Sequence, residues 1–244
     1  MCGRYTLTSQ EGLIDDLTAA LGGGLAVAPE LVASDAWRPR FNIAPTQLAP
    51  VIAMHRDHRA FELMRWGLVP FWAADAGGGK RPPLMINARI ETAAQKPAFR
   101  DALDHRRCLV PADGFYEWKR DGHASKHAQA MWIHPGARRV IAFAGLWARA
   151  QTDAGELHSF AIITGPPNAL VAPIHDRMPV ILPRDRWRAW LDPALDRDGA
   201  RALLDVPAID DWRADPVTDR VNKVDHDDPA CLAPAPPPRQ GSLF

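Results

Sequence analysis

The sequence predicts an α+β protein built on a large, mainly antiparallel sheet system with a few short helices. Three observations predict it. Short apolar and aromatic runs recur along the chain, bounded by Gly, Pro, Asp or Asn, which is the pattern of strands and turns. Helical periodicity is confined to a few short stretches between them. The 244 residues, 47% hydrophobic and 24% charged, have the balance of a globular chain long enough to bury a substantial core. No internal repeat is visible.

In chain order, Ser9 to Leu21 reads as an amphipathic helix. Ser9 is a candidate cap, Leu13, Ile14, Leu17 and Leu21 share a face, and Gly22-Gly23-Gly24 ends it. Ala26 to Pro39 reads as a Pro-containing loop in which Trp37 packs on the core. Leu48 to Met54 and Ala60 to Trp66 read as strands joined by the polar turn His55-Arg56-Asp57-His58. Gly67 to Trp72 is a loop projecting aromatics. Gly77-Gly78-Gly79 is a connection, lacking the strand–Gly–helix context of a phosphate loop. A helix is expected from about Pro97 to Asp104, with proline in its first turn.

Cys108 to Pro111 reads as a strand, Asp113-Gly114 as a turn, and Phe115 to Lys119 as a second strand. Alternation puts Glu117 on the face of Phe115, opposite Tyr116 and Trp118. A carboxylate there is either paired or raised in pKa. Ala130 to His134, Val140 to Trp147 and Phe160 to Thr164 are further strands, with Arg138-Arg139 turning between the first two. Pro166 to Ile174 is a short helix or loop, Val180 to Leu182 a strand, and Asp185 to Leu191 a helix carrying Trp187 and Trp190. Residues 1–233 read as a single domain. The Pro-rich stretch from Pro234 to Phe244 reads as a disordered tail.

Lys+Arg 29 against Asp+Glu 29 gives zero net charge. That argues against nucleic-acid binding through bulk positive charge and leaves room for a local basic groove. Cys2, Cys108 and Cys231 are an odd, widely spaced set with no CxxC pair, so neither a disulfide framework nor a cysteine zinc site is indicated. With no signal peptide and no membrane-spanning apolar run, a reducing cytoplasm is the expected location.

The first four residues, Met1-Cys2-Gly3-Arg4, carry the most distinctive chemistry. If Met1 is removed, Cys2 presents an α-amine and a thiol on adjacent carbons. Their ordinary pKa values, ~7.7–8.0 and ~8.5, leave both partly deprotonated at neutral pH. Such an aminothiol condenses with an aldehyde to a Schiff base, and the thiol then closes a thiazolidine ring. The ordinary alternative is a small, buried, inert cysteine. Asn42, Asn87, Arg89, Glu117 and His175 also stand in apolar surroundings. Each has a plain alternative: a turn for the asparagines, a surface ion pair for Arg89, an exposed strand position for Glu117, and a structural histidine for His175.

Taken together, the segments are more specific. They are Met1 to Arg4, Asn42 to Pro45, Trp66 to Pro70, Asn87 to Thr92, Cys108 to Trp118, Ile174 to Pro179, and Val221-Asn222 through Pro229-Ala230-Cys231. In that order they resemble the SOS-response-associated peptidase (SRAP) family over roughly positions 1–234, with a departure from Ala73 to Gly79. The resemblance implies bifurcated sheets folded into pseudo-barrels, with the N-terminal cysteine in a DNA-binding channel. It implies processing of abasic sites in single-stranded DNA, Cys2 trapping the sugar aldehyde as a thiazolidine. It further implies self-cleavage after Met1; a lyase side reaction is expected on chemical grounds, because a Schiff base at the sugar acidifies the adjacent C–H.

Carried over residue by residue, Cys2 resembles the nucleophile, Glu117 and His175 the acid–base pair, and Asn87 the residue orienting the terminus or sugar. Arg4 and Arg89 resemble phosphate contacts. Asn42, Trp72, Trp118 and Thr164 are further candidates for DNA contact, the tryptophans by stacking. No cofactor and no metal are implied, and a monomer, nucleoid-associated when on DNA, is the expectation. Gln240-Gly241-Ser242-Leu243-Phe244 resembles the bacterial sliding-clamp-binding peptide, departing at Gly241. Two other readings stand beside this one. An N-terminal-nucleophile cysteine amidohydrolase would share the Cys-Gly start, and a single-stranded DNA module would sense damage without chemistry.

Overall fold

In a computed structural model the described residues are 2–74, 84–120, 128–137, 139–153, 155–206 and 211–236. The triglycine Gly77 to Gly79, Arg138 of the expected turn and the segment Gln240 to Phe244 lie outside them. Among the described residues no helix is long and apolar enough to cross a membrane.

Strand β1 (Tyr5–Leu7) is followed by helix α1 (Leu13–Ala20). The helix starts three residues later than a cap at Ser9 would place it. Its cap is Gly12, whose backbone takes the left-handed conformation at φ 66° that glycine adopts without strain. Leu13 and Leu17 are buried on one face with Leu21 beyond them, each side chain contributing roughly 1.5–3 kcal/mol. The expected loop Ala26 to Pro39 instead holds β2 (Leu25–Val27), α2 (Pro29–Ala33) and a 3₁₀ turn at Asp35–Trp37. β2 exists because it pairs in parallel with β5, a partner remote in sequence. Trp37 packs edge-on against Phe61 at 5.6 Å, in the packing role expected of it.

The next strands are β3 (Arg40–Ile43), β4 (Leu48–His55) and β5 (His58–Trp66). β4 and β5 form the expected hairpin, closing at His55 and His58. Helix α3 (Phe71–Ala74), strand β6 (Asn87–Arg89) and helix α4 (Pro97–His105) follow. Then β7 (Arg107–Ala112) and β8 (Gly114–Arg120) flank Asp113. Asp113-Gly114 does not close a hairpin, for β7 pairs with β4 and β10 while β8 pairs with β1 and β9. The bend carries the chain from one sheet to the other. The Asp113 carboxylate accepts hydrogen bonds from Thr6 and from the Thr8 amide, at 2.6 Å for the latter, which ties the bend to β1.

After it come β9 (Ala128–Pro135), β10 (Ile141–Thr152), β11 (Gly155–Gly165), β12 (Met178–Pro179) and β13 (Ile181–Leu182). Helices α5 (Trp187–Trp190) and α6 (Arg197–Leu203) and strand β14 (Trp212–Pro216) complete the order. Buried Trp190 donates its indole N–H to the Cys108 carbonyl at 2.9 Å, fastening α5 to β7.

One sheet has the antiparallel order β14-β9-β8-β1-β3. In the other, β5-β4-β7-β10-β11 are neighbours in that order, and β11 also pairs with β5 in parallel. Those five strands therefore close on themselves as a barrel, which leaves them no free edge along the closed rim. β11 then runs past the end of β5 and takes β6 on the same side, so the sheet divides there. This is the α+β, mainly antiparallel and divided architecture expected from the sequence.

Tyr5 reaches from the first sheet onto Trp66 and Phe143 of the barrel, at 5.2 and 5.8 Å. At Gly145 adjacent strands leave no room for a side chain, since a Cβ there would lie 2.7 Å from the sulfur of its cross-strand partner Cys108. The segment after β14 folds back on β3. Asp227 pairs with Arg40 and accepts from the amides of Phe41 and Asn42 at 2.6 and 2.9 Å. Pro234 bridges Val217 and Ala235 donates to the Pro216 carbonyl. The first residues of the expected tail thus lie against the domain, because main-chain pairing with β14 holds them.

Candidate active site

The register of β1 with β8 brings the N-terminus to its partners. Tyr5 pairs with Phe115 and Thr6 with Gly114, and the Tyr116 amide donates to the Arg4 carbonyl at 3.0 Å. Continued backwards, that register sets Gly3 opposite Glu117. Alternation along β8 puts Glu117 on the core side with Phe115, while Tyr116 packs in a second cluster with Val217, Val221 and Cys231 and Trp118 lies against it. Glu117 is 2% exposed.

The barrel supplies the other wall. β6 and β12 flank the end of β11, pairing Asn87 with Ile162 and Thr164 with both Arg89 and Pro179. Asn87 Nδ2 donates to the Cys2 carbonyl at 2.9 Å. The turn before β12 delivers His175, whose Nε2 lies 3.9 Å from Glu117 Oε2. The structure therefore brings Cys2, Asn87, Glu117 and His175 together from four separated segments, at the line where the two sheets meet.

The electrostatics follow from burial. Burial pushes the Glu117 carboxyl up to about 7. Burial, reinforced by the neighbouring Glu117 charge, pushes the Cys2 thiol well above its ordinary range. The His175 imidazole is lowered by burial first, with the positive Arg120 adding to the effect. The backbone N–H of Arg177 donates to His175 Nδ1 at 3.0 Å, which leaves the ring proton on Nε2, the side of Glu117. The Asp176 carboxylate stands 3.0 Å from the same Nδ1. It would be a partner only for a protonated Nδ1, and its side chain is 86% exposed, so the main-chain donor decides the neutral tautomer.

The residues expected to touch DNA divide into three groups. Arg89 is exposed on β6 and has no ion-pair partner among the described residues. Trp72, on α3, is 49% exposed beside Phe71 at 62%. Arg4 and Trp118 are anchored. The Arg4 guanidinium donates to Asn42 Oδ1 at 3.0 Å and to the Val221 carbonyl at 2.6 Å, and lies 6.0 Å from the Trp118 ring centre. The Trp118 indole donates to Asn222 Oδ1 at 2.7 Å.

Asn42 and Thr164 are fully buried. Asn42 Nδ2 donates to the carbonyls of Val221, Lys223 and His226 at 3.2, 3.0 and 2.7 Å. Asn42 thus locks the C-terminal segment beneath Arg4, and its side chain has no face left for DNA. The sequence could not show this because the acceptors lie about 180 positions away. Thr164 Oγ1 and Asn87 Oδ1 are buried polar atoms with no hydrogen-bond partner among the described residues. Such atoms carry a desolvation cost that a bound polar group would offset. Arg120, Arg177 and Asn222 carry no role in the sequence reading. Arg177, paired with Glu91 at 2.5 Å, and Asn222 stand inside the segments singled out there.

The chain is 38% identical over 234 residues to the abasic site processing protein YoqW of Bacillus subtilis, covering 95% of this chain and 99% of that one. It is 30% identical over 271 residues to the abasic site processing protein HMCES of Rattus norvegicus, covering 96% and 76%. A crystal structure of a Bacteroides thetaiotaomicron protein superposes with a TM-score of 0.81 over 96% of this chain and all of that one. At 24% identity it speaks for the fold alone. The model of the SOS response associated peptidase (SRAP) family matches residues 1–224, and the chain belongs to that family.

Proposed function

We propose that this protein captures abasic sites in single-stranded DNA by covalent attachment through Cys2. With Met1 removed, the Cys2 α-amine attacks the C1′ aldehyde of the ring-opened sugar, and loss of water gives a Schiff base. The thiol sulfur adds to the C=N carbon, its proton passes to the former imine nitrogen, and a five-membered thiazolidine closes. Aldehyde and aminothiol become thiazolidine and water, so no oxidant or reductant enters.

The observation that carries this reading is the convergence of Cys2 with a buried carboxyl whose pKa is about 7. Such a carboxyl donates a proton while the sugar ring opens and accepts one when the thiol must be ionised. The second task needs a base because burial holds the thiol protonated. His175, neutral with its proton on the Glu117 side, backs up the donor role. Asn87 holds the Cys2 carbonyl, and its Oδ1 with Thr164 Oγ1 suits the hydroxyls of an opened sugar. Arg89 suits a phosphate and Trp72 a base face. Phosphate contacts specify no bases, so capture is independent of sequence. The Schiff base also acidifies the adjacent C–H, making β-elimination its side reaction, and self-cleavage after Met1 is the route by which the amine is freed. The segment Gln240 to Phe244 docks on the sliding clamp; deleting it should lower clamp affinity, and unchanged affinity removes that element.

A denaturing gel tests the central step. Single-stranded DNA with one abasic site, beside intact DNA, is incubated with wild-type protein and Cys2→Ala. A shifted band is expected only for wild type with abasic DNA. No band, with Met1 absent by mass spectrometry, overturns the reading and favours an amidohydrolase, assayed by glutamine turnover. A denaturation-resistant band retained by Cys2→Ala excludes Cys2 as the attachment point. Retention by both proteins on native gels alone favours a module without chemistry.

A further inference from the structure

The barrel holds a second group of titratable side chains that the proposed chemistry does not use. Strand pairing shows where they point. Cross-strand partners share a face, and the pairs Val51–Glu62, Phe143–Val110, Trp147–Phe160 and Gly145–Ile162 all belong to one. Trp66 and Phe160 of that face stack at 6.3 Å, and Tyr5 packs on Trp66 and Phe143. That face is the barrel interior. His55, Glu62 and His158 lie on it, at the mouth away from Cys2. His158 precedes Ile162, the neighbour of Asn87, by four residues of β11, roughly 13 Å of strand.

The three side chains converge on a point. Glu62 Oε1 meets His55 Nε2, and Glu62 Oε2 lies 3.0 Å from His158 Nδ1. All three ligating atoms fall within 4.8 Å of one another. Nitrogen and oxygen ligands of one tetrahedral zinc ion stand roughly 3.3–3.6 Å apart, as bonds of about 2.0–2.2 Å require, so rotations of the two imidazoles and the carboxylate by about an ångström separate this arrangement from coordination. The far nitrogen of His158 faces Glu156 Oε1 at 3.1 Å. A carboxylate on the outer nitrogen is the usual support of a metal-binding imidazole. Trp147 packs against both imidazoles, with ring centres 4.9 and 5.4 Å away, and a cleft of about 760 Å³ reaches His55 from solvent.

The position also has a mechanical sense. The β5–β11 seam that closes the barrel pairs only Arg65–Ser159 and Trp66–Phe160, against eight pairs between β10 and β11. Glu62 and His158 lie just before that seam on its two strands, and His55 comes from β4.

We propose that His55, Glu62 and His158 bind a divalent transition-metal ion, zinc by its two-nitrogen, one-oxygen donor set, and that the ion clamps β4, β5 and β11 at the barrel's far mouth. Calorimetry with zinc on chelator-stripped full-length protein tests it. Wild type should bind one ion more per chain than the double variant Glu62→Gln, His158→Asn. At a hundredfold excess of free zinc over its Kd, the wild-type Tm should rise by about 5–10 °C through the differing ion. Cobalt in its place should give visible d–d bands without a thiolate charge-transfer band, separating this site from any at the cysteines. Should the double variant fail to fold, by circular dichroism, the single variant His55→Gln must lose the same ion. Equal stoichiometry and equal Tm shifts in wild type and variant, or no zinc bound by wild type, overturn the proposal and leave an ion-pair network.

Discussion

Glu117 and Glu62 each stand beside a histidine, and their environments drive them in opposite directions. Glu117 faces His175 across 3.9 Å, and burial raises it to about 7. Burial also pushes Glu62 up, but hydrogen bonds from His158 and His55 outweigh it and hold the carboxyl down at about 2. The histidines mirror this, His175 lowered by burial and His158 raised by its hydrogen bond to Glu62. Burial alone therefore does not set a proton's affinity: two close imidazole partners outweigh it at Glu62, whereas at Glu117, with His175 3.9 Å away, burial prevails over the groups that favour the charged form. The first arrangement is suited to moving protons near neutrality, the second to fixed charge and structure.

The largest test of this contrast is kinetic. Glu117→Gln should slow covalent capture of abasic DNA by ~10²-fold or more, and the inflection near pH 7 in the rate profile should vanish with it. An unaltered profile would transfer the proton work to another group. His175→Asn, removing the second donor, should cost less, on the order of tenfold, in the same assay.

Stability sharpens the comparison from the other side. Because Glu117 holds its proton more tightly folded than unfolded, its contribution falls as pH rises from about 4.5 to about 7. Glu117→Gln should therefore match wild type near pH 4.5 and gain on it by up to ~3 kcal/mol at pH 8, read by urea denaturation. Glu62 has the opposite sign. Its stabilisation is present above the unfolded pKa near 4.5 and is lost as pH falls towards about 2. That of His158 is full below about 6.5 and is lost as pH rises through its raised folded pKa. In metal-free protein, Glu62→Gln should cost most between pH 4.5 and 6.5, about 1–2 kcal/mol once solvent screening is allowed for. A variant destabilised equally at pH 3 and pH 6 would break the comparison.

The smallest effect is a control outside both clusters. Arg89→Ala should weaken DNA binding a few-fold and reduce the salt slope of log K by about 1. A slope unchanged by the substitution would remove Arg89 from the phosphate contacts.

Much of this was legible before any coordinates. Local alternation put Glu117 on the core face, and the hairpin of β4 and β5 and helix α4 followed from their own residues. Cys2 stands out in the sequence by its aminothiol chemistry, and Asn87, Glu117 and His175, each with a plain alternative when taken singly, stand out through the joint resemblance of their segments to one family. The errors share one cause. α1 was expected from Ser9 because a serine before a periodic run resembles a cap, yet the backbone uses Gly12. Asp113-Gly114 resembles a hairpin turn and instead changes sheets. β2 was missed because its parallel partner lies more than thirty residues away, and Asn42 seemed a turn or a DNA contact while serving three distant carbonyls.

The sequence alone determined which side chains are able to carry chemistry, because residue type sets what a thiol, a carboxyl or an imidazole can do, and which short runs are strands, because period-two patterning is local. Tertiary structure alone decided what those groups became. Closing β5 onto β11 joined His55, Glu62 and His158 across a hundred positions, and laying β1 on β8 set Cys2 beside Glu117. A pKa depends on distance and dielectric, and both exist only once the strands have met.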